Sequence, residues 1–202
     1  RRWLDQALQA TDAPDPRMFM RCGAELHAVG DLEGAQLAFE QALVSIPEHP
    51  GLWNALATVR YAASNFDAAL KAVEQALQFA PADPDTVFNA GVIAEALGYH
   101  ETALNYYRQV LELRQHHPGA MLNLVPLLIA MKQREAALAE AKALVTAHPR
   151  WSDAWFNLGE AFTTCSDHAE AQIAYGRVLH LNPADKRADI AIAVALAAQG
   201  KL

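Results

Sequence analysis

Cysteine is scarce: the 202 residues hold two, Cys22 and Cys165. On a helical reading they sit eight helices apart, stacked at roughly 8–10 Å spacing. A disulfide needs Cα atoms within about 7 Å, so the pair cannot bridge within one chain. Two free thiols fit a reducing compartment, and no signal-peptide pattern marks the start, so a cytoplasmic location is the expectation. Basic excess is also missing. Lys and Arg number 16 against 23 Asp and Glu, a formal charge of −7, which argues against nucleic acid as a partner. No run of 18 apolar residues occurs, so no membrane span is expected. Catalytic signatures are absent too: no glycine-rich phosphate loop, no Gly-x-Ser-x-Gly and no His-Glu-x-x-His. The eight histidines are scattered. The adjacent His116 and His117 read as solvated loop residues, because neighbours in sequence do not converge on one metal. No catalytic, cofactor or metal site is expected, and the chain reads as a non-enzyme.

What the chain does have is a period of 34 residues. Starts fall at Pro16, Pro50, Pro84, Pro118 and Ser152, and a sixth at Lys186 runs only partway. Numbering each repeat from its start, position 20 is Ala35, Ala69, Ala103, Ala137 and Ala171. Position 4 is Phe19, Trp53, Val87, Met121 and Trp155; position 7 is Cys22, Leu56, Ala90, Leu124 and Leu158. Position 8 is mostly small, position 24 is Phe39, Val73, Tyr107, Ala141 and Tyr175, and position 32 is proline in four of five repeats, with Gln115 the exception.

This pattern resembles the tetratricopeptide repeat, and the resemblance covers nearly the whole chain. It implies an all-α, right-handed superhelical solenoid of antiparallel helix pairs, in which each repeat buries its apolar face only against its neighbours. The expected division is 1–15, the second helix of a preceding repeat and its turn; repeats 16–49, 50–83, 84–117, 118–151 and 152–185; and 186–202, the terminal helix of a partial repeat. In each repeat a first helix, A, covers about positions 2–14 and a second, B, about positions 18–31. Gly30, Gly98 and Gly200 at position 15 suit a left-handed end to helix A. Asp31, Asn65 and Asp167 suit capping of helix B. Arg60 stands where a core residue is usual. Pro126 lies inside a helix A, where it removes an amide donor and frees the carbonyl of Leu122. A kink without a break is expected there, with the freed carbonyl a candidate ligand contact.

The resemblance also implies that helix A lines a concave groove. Position 6 carries Asn89, Asn123 and Asn157 in three consecutive repeats. A primary amide can both donate to and accept from a peptide bond, and the series resembles the asparagine ladder of the repeat domain in protein O-GlcNAc transferases. Position 5 adds Asn54, Phe88, Leu122 and Phe156, with the two phenylalanines as apolar anchors. Arg17 and Arg21 lie toward the first repeats, and Glu95, Asp153 and Glu160 further on, so a ligand with an acidic and a basic end would be oriented. The Lys and Asn clamp by which chaperone-binding members of the family hold a terminal carboxylate is missing: its places are taken by Met20, Ala24, Asp85 and Asn89. The expected function is a protein-interaction scaffold or adaptor that binds an extended peptide or protein segment in this groove. Two alternatives stand beside it: a substrate-recruiting segment of a larger O-GlcNAc-transferase-like enzyme, and self-association through the apolar 186–202 helix.

Overall fold

The computed structural model describes residues 15–200, and the expected helix over residues 1–10 lies outside them. Among the described residues there are eleven helices and no strand: α1 (Pro16–Ala28), α2 (Leu32–Ser45), α3 (Pro50–Ala62), α4 (Phe66–Phe79), α5 (Pro84–Ala96), α6 (His100–Leu113), α7 (Pro118–Ala130), α8 (Arg134–Ala147), α9 (Ser152–Thr164), α10 (His168–Leu181) and α11 (Lys186–Ala198). They fall into two compact units that divide between Gln115 and His116. The first holds α1 to α6 and the second α7 to α11. Within each unit, odd-numbered helices pair with the even-numbered helix that follows, and the pairs stack on one another. The fold is an all-α solenoid of helix pairs.

Local sequence explains the helix ends. Pro16, Pro50, Pro84 and Pro118 each occupy the first helical turn, where the missing amide costs nothing. The residue before each proline caps the helix: Asp15, His49, Asp83 and His117 all accept a backbone N–H in that turn. His117 is therefore not a solvated loop residue. Its Nδ1 accepts from the Ala120 amide at 3.2 Å and its ring is buried, 7 % exposed. His116 beside it is exposed. On the B helices, Asp31 and Asn65 cap as expected. Asp167 holds the capping position of α10 without a side-chain bond. Both helices of each pair begin about one residue earlier than the sequence pattern places them.

Every A helix ends on a left-handed residue. Gly30, Gly98 and Gly200 take φ of 82°, 78° and 67°, but Ser64, Lys132 and Ser166 hold the equivalent places at 59°, 61° and 65°. Three repeats thus tolerate a conformation that costs a side-chain-bearing residue roughly 1 kcal/mol or more.

The A–B contact is set by one pair of positions. Ala35, Ala69, Ala103, Ala137 and Ala171 are completely buried, and beside them positions 8 and 24 trade volume. A Cβ placed on Gly23 would lie 2.7 Å from Phe39, and one on Gly91 2.7 Å from Tyr107. Gly159 meets Tyr175 in the same way. Where position 8 is Ala57 its partner is Val73, and where it is Val125 the partner is Ala141.

Arg60 reaches out of the α3–α4 pair. Its Nη2 pairs with Glu40 of α2 at 3.0 Å and its Nη1 donates to the Ala68 carbonyl at 3.2 Å, which offsets much of the cost of a guanidinium that is only 19 % exposed. Pro126 interrupts neither the helix nor its burial: α7 continues to Ala130 with Leu127 and Leu128 buried.

Candidate functional site

The A helices present positions 2, 5, 6, 9 and 12 beside the packed ones, and all the candidate residues lie there. Only some of their polar groups remain available.

In the first unit, Asn89 on α5 donates its Nδ2 to Oδ1 of Asn54 on α3 at 2.8 Å. In the second, Asn157 on α9 donates its Nδ2 to the Leu122 carbonyl on α7 at 2.9 Å. Both bonds run 35 residues back, from position 6 of one repeat to position 5 of the one before. The expectation of fully open ladder amides is corrected for these two: one end of each amide joins adjacent A helices. The second bond also accounts for Pro126. The carbonyl that its ring leaves without a helical donor is the one Asn157 takes up, so it has a partner within the protein. Asn123 and the Leu122 side chain are half-buried on α7. In the Asn54–Asn89 pair, Nδ2 of Asn54 and Oδ1 of Asn89 remain outside the mutual bond, one a donor and one an acceptor.

Phe88 and Phe156 are half-buried rather than freely exposed. Phe88 packs on Tyr107 with ring centroids 5.8 Å apart, and Phe156 on Tyr175 at 5.5 Å. These tyrosines carry a feature that sequence reasoning missed. Each is buried at position 24, yet its hydroxyl reaches a carboxylate of its own repeat's A helix: Tyr107 donates to Glu95 at 2.6 Å and Tyr175 to Glu160 at 2.7 Å. Thr163 lies 3.2 Å from the Tyr175 hydroxyl. Burial first, then the Glu160 carboxylate, pushes the Tyr175 phenol well above its ordinary range. The available signal was the hydroxyl itself. Phe39 fills position 24 with no carboxylate at positions 9 or 12 of its repeat, whereas both tyrosines have one, and a buried phenol needs a partner.

The charges are more paired than the sequence pattern implies. Asp153 is not a free groove anion, because Arg187 of α11 binds it at 2.7 Å and also binds Asp185 at 2.7 Å. The same guanidinium sits 4.7 Å from the Phe156 ring centroid. Hydrogen bonds from Arg187 hold the Asp185 carboxyl below the usual range, against its burial. Arg17 and Arg21 are exposed on α1 and, with Met18, Cys22 and Glu25, line a cleft of about 640 Å³. Burial pushes the Cys22 thiol up. A second cleft of about 440 Å³ lies between α9 and α11, where Ile190 and Val194 are 66 % and 58 % exposed. Among the described residues no group of three metal-ligating side chains converges, and no helix is long and apolar enough to cross a membrane.

Helix pairs of this length, with alanine at position 20 and mostly small residues at position 8, define a helical-repeat protein built from a 34-residue unit. The chain belongs to the tetratricopeptide-repeat family: that family's sequence signature matches residues 26–88 and 94–159, and a second tetratricopeptide signature matches residues 152–185. Solved structures agree on the fold. A tetratricopeptide protein from Parabacteroides merdae superposes with a TM-score of 0.83 at 18% identity, over 92% of this chain and 74% of that one. YrrB, described as a TPR protein with an unusual peptide-binding site, gives 0.73 at 19% identity over 98% and 97%. MamA gives 0.74 at 15% identity over 83% and 92%. No curated protein matches the chain in sequence.

Proposed function

We propose that the chain is a protein-interaction scaffold that binds extended peptide segments along the A helices of each unit. The observation that carries this reading is the pairing of open polar edges with apolar rings on those helices. In the first unit the Asn54–Asn89 pair offers a donor and an acceptor matched to a peptide bond's C=O and N–H, next to Phe88. In the second unit Asn157 keeps its carbonyl oxygen for the same purpose, next to Phe156 and the α9–α11 cleft. Asn123 is the remaining proposed contact. Backbone recognition by amides is indifferent to side chains, so the phenylalanines and the clefts would set preference. The peptide-binding site named for YrrB is a precedent for such use of the fold.

The test is to pan a random peptide library against the chain and map the selected binders by cross-linking with mass spectrometry. Cross-links should fall on helices α1, α3, α5, α7, α9 and α11. Cross-links confined to the B helices would refute the groove as the binding face.

A further inference from the structure

The cleft between α9 and α11 has an apolar wall and a polar end. Ile190 and Val194, one helical turn apart, form the wall with Phe156. At the end stand the Glu160 carboxylate and the hydroxyls of Tyr175 and Thr163. Arg187 also lines the cleft, and its guanidinium is engaged by Asp153 and Asp185. Glu160 has a hydroxyl donor but no cation partner among the described residues.

Resting on the groove reading above, we propose that this cleft takes a lysine side chain of the bound segment, its alkyl stem along Ile190 and Val194 and its ammonium on Glu160. The stem is apolar and the head charged, which matches the Ile190 and Val194 wall and the Glu160 carboxylate, while the Arg187 guanidinium that also lines the cleft is held by Asp153 and Asp185. The head group is distinguishable on geometry. An ammonium is a compact point charge with three donors, and the end of the cleft converges three oxygen-bearing side chains on it. A guanidinium prefers both oxygens of one carboxylate in a planar fork, and Tyr175 already holds one oxygen of Glu160 at 2.7 Å.

The experiment uses the full chain and three synthetic probes: acetyl-Ala-Leu-Lys-Leu-Ala-amide and its analogues with norleucine or arginine at the centre. Norleucine keeps the stem and removes the ammonium. Binding is read by NMR chemical-shift titration. The lysine probe should shift residues of α9 and α11 and bind roughly three- to tenfold more tightly than the norleucine probe, as a charge-assisted bond at a half-exposed site gives. It should also bind at least as tightly as the arginine probe. Glu160→Gln keeps an acceptor for Tyr175 and should abolish the preference for lysine over norleucine. Equal affinity for lysine and norleucine, a preference that survives Glu160→Gln, or lysine-probe shifts outside α9 and α11 would each overturn the proposal. Norleucine binding in the cleft without lysine preference would overturn the lysine assignment alone. Silence from all three probes at α9 and α11 would count against this assignment and against the groove reading in the second unit.

Discussion

Gly23 offers the sharpest test of how the helix pairs are held. Replacing it by alanine has two opposed effects. In a helix interior, Gly→Ala gains about 1 kcal/mol from backbone propensity. Here the new Cβ would lie 2.7 to 2.9 Å from three ring atoms of Phe39, a ring only 4 % exposed with little room to retreat. Overpacking of this kind costs about 1–3 kcal/mol. The net expectation is a loss of about 0–2 kcal/mol, too ambiguous to interpret alone. Gly176 supplies the reference, being inside α10 with nothing within 4 Å of its would-be Cβ. Gly176→Ala should show the propensity gain without the clash. The difference between the two variants, about 1–3 kcal/mol, isolates the contact. Relief should come from Phe39→Val, which recreates the Ala57–Val73 combination of the next pair. Native-state hydrogen exchange is the suitable assay, read at α1 and α2 amides for the Gly23 variants and at α9 and α10 amides for Gly176→Ala, since a stacked solenoid opens locally and a single global midpoint can hide the effect. Equal responses at Gly23 and Gly176, or effects of Gly23→Ala and Phe39→Val that simply add, would refute the volume exchange.

Two further outcomes follow from bonds in the second unit. Asn157→Leu strands the Leu122 carbonyl and should cost about 1–3 kcal/mol in urea denaturation; in a Pro126→Ala background, where residue 126 regains its amide, the same change should cost much less, and an undiminished cost would refute the link. Asp185 has its carboxyl pKa lowered by Arg187, so its contribution is fully present above the unfolded-state pKa and is lost as pH falls through the lower folded value. Asp185→Asn should therefore flatten the acid limb of stability below about pH 4, measured as denaturation midpoints across that range; parallel curves for the two proteins would contradict it.

The fold was legible because each repeat solves one packing problem with the same residues. Alanine at position 20 and the small residue at position 8 follow directly from the closeness of two helices, and sequence displays that closeness as a recurring absence of volume. The left-handed turn was legible at Gly30, Gly98 and Gly200 but not at Ser64, Lys132 and Ser166, because backbone geometry imposed by neighbours overrides local preference. Histidine as a helix cap was missed at His49 and His117, since its Nδ1 accepts as a shorter polar side chain would but its ring suggests other uses. The proposed binding face was legible only as a list of positions. Spacing places Asn89 and Asn157 on one face but says nothing of which partner their amides choose, and both chose the adjacent helix. Likewise the sequence shows Trp53 and Trp155 only as residues of position 4, while each indole donates to the carbonyl of a proline six residues earlier, Pro47 and Pro149.

The volume exchange between positions 8 and 24 bears on how such a chain can be lengthened or recombined. A gene junction falling between an A helix and its own B helix could join Val125's helix to one carrying a tyrosine, and the pair would collide; joining Gly23's helix to one carrying Ala141 would leave a hole. A junction falling between pairs keeps each matched couple together. Whole 34-residue blocks are thus the natural currency of duplication here, and point changes at either position are constrained to arrive in twos.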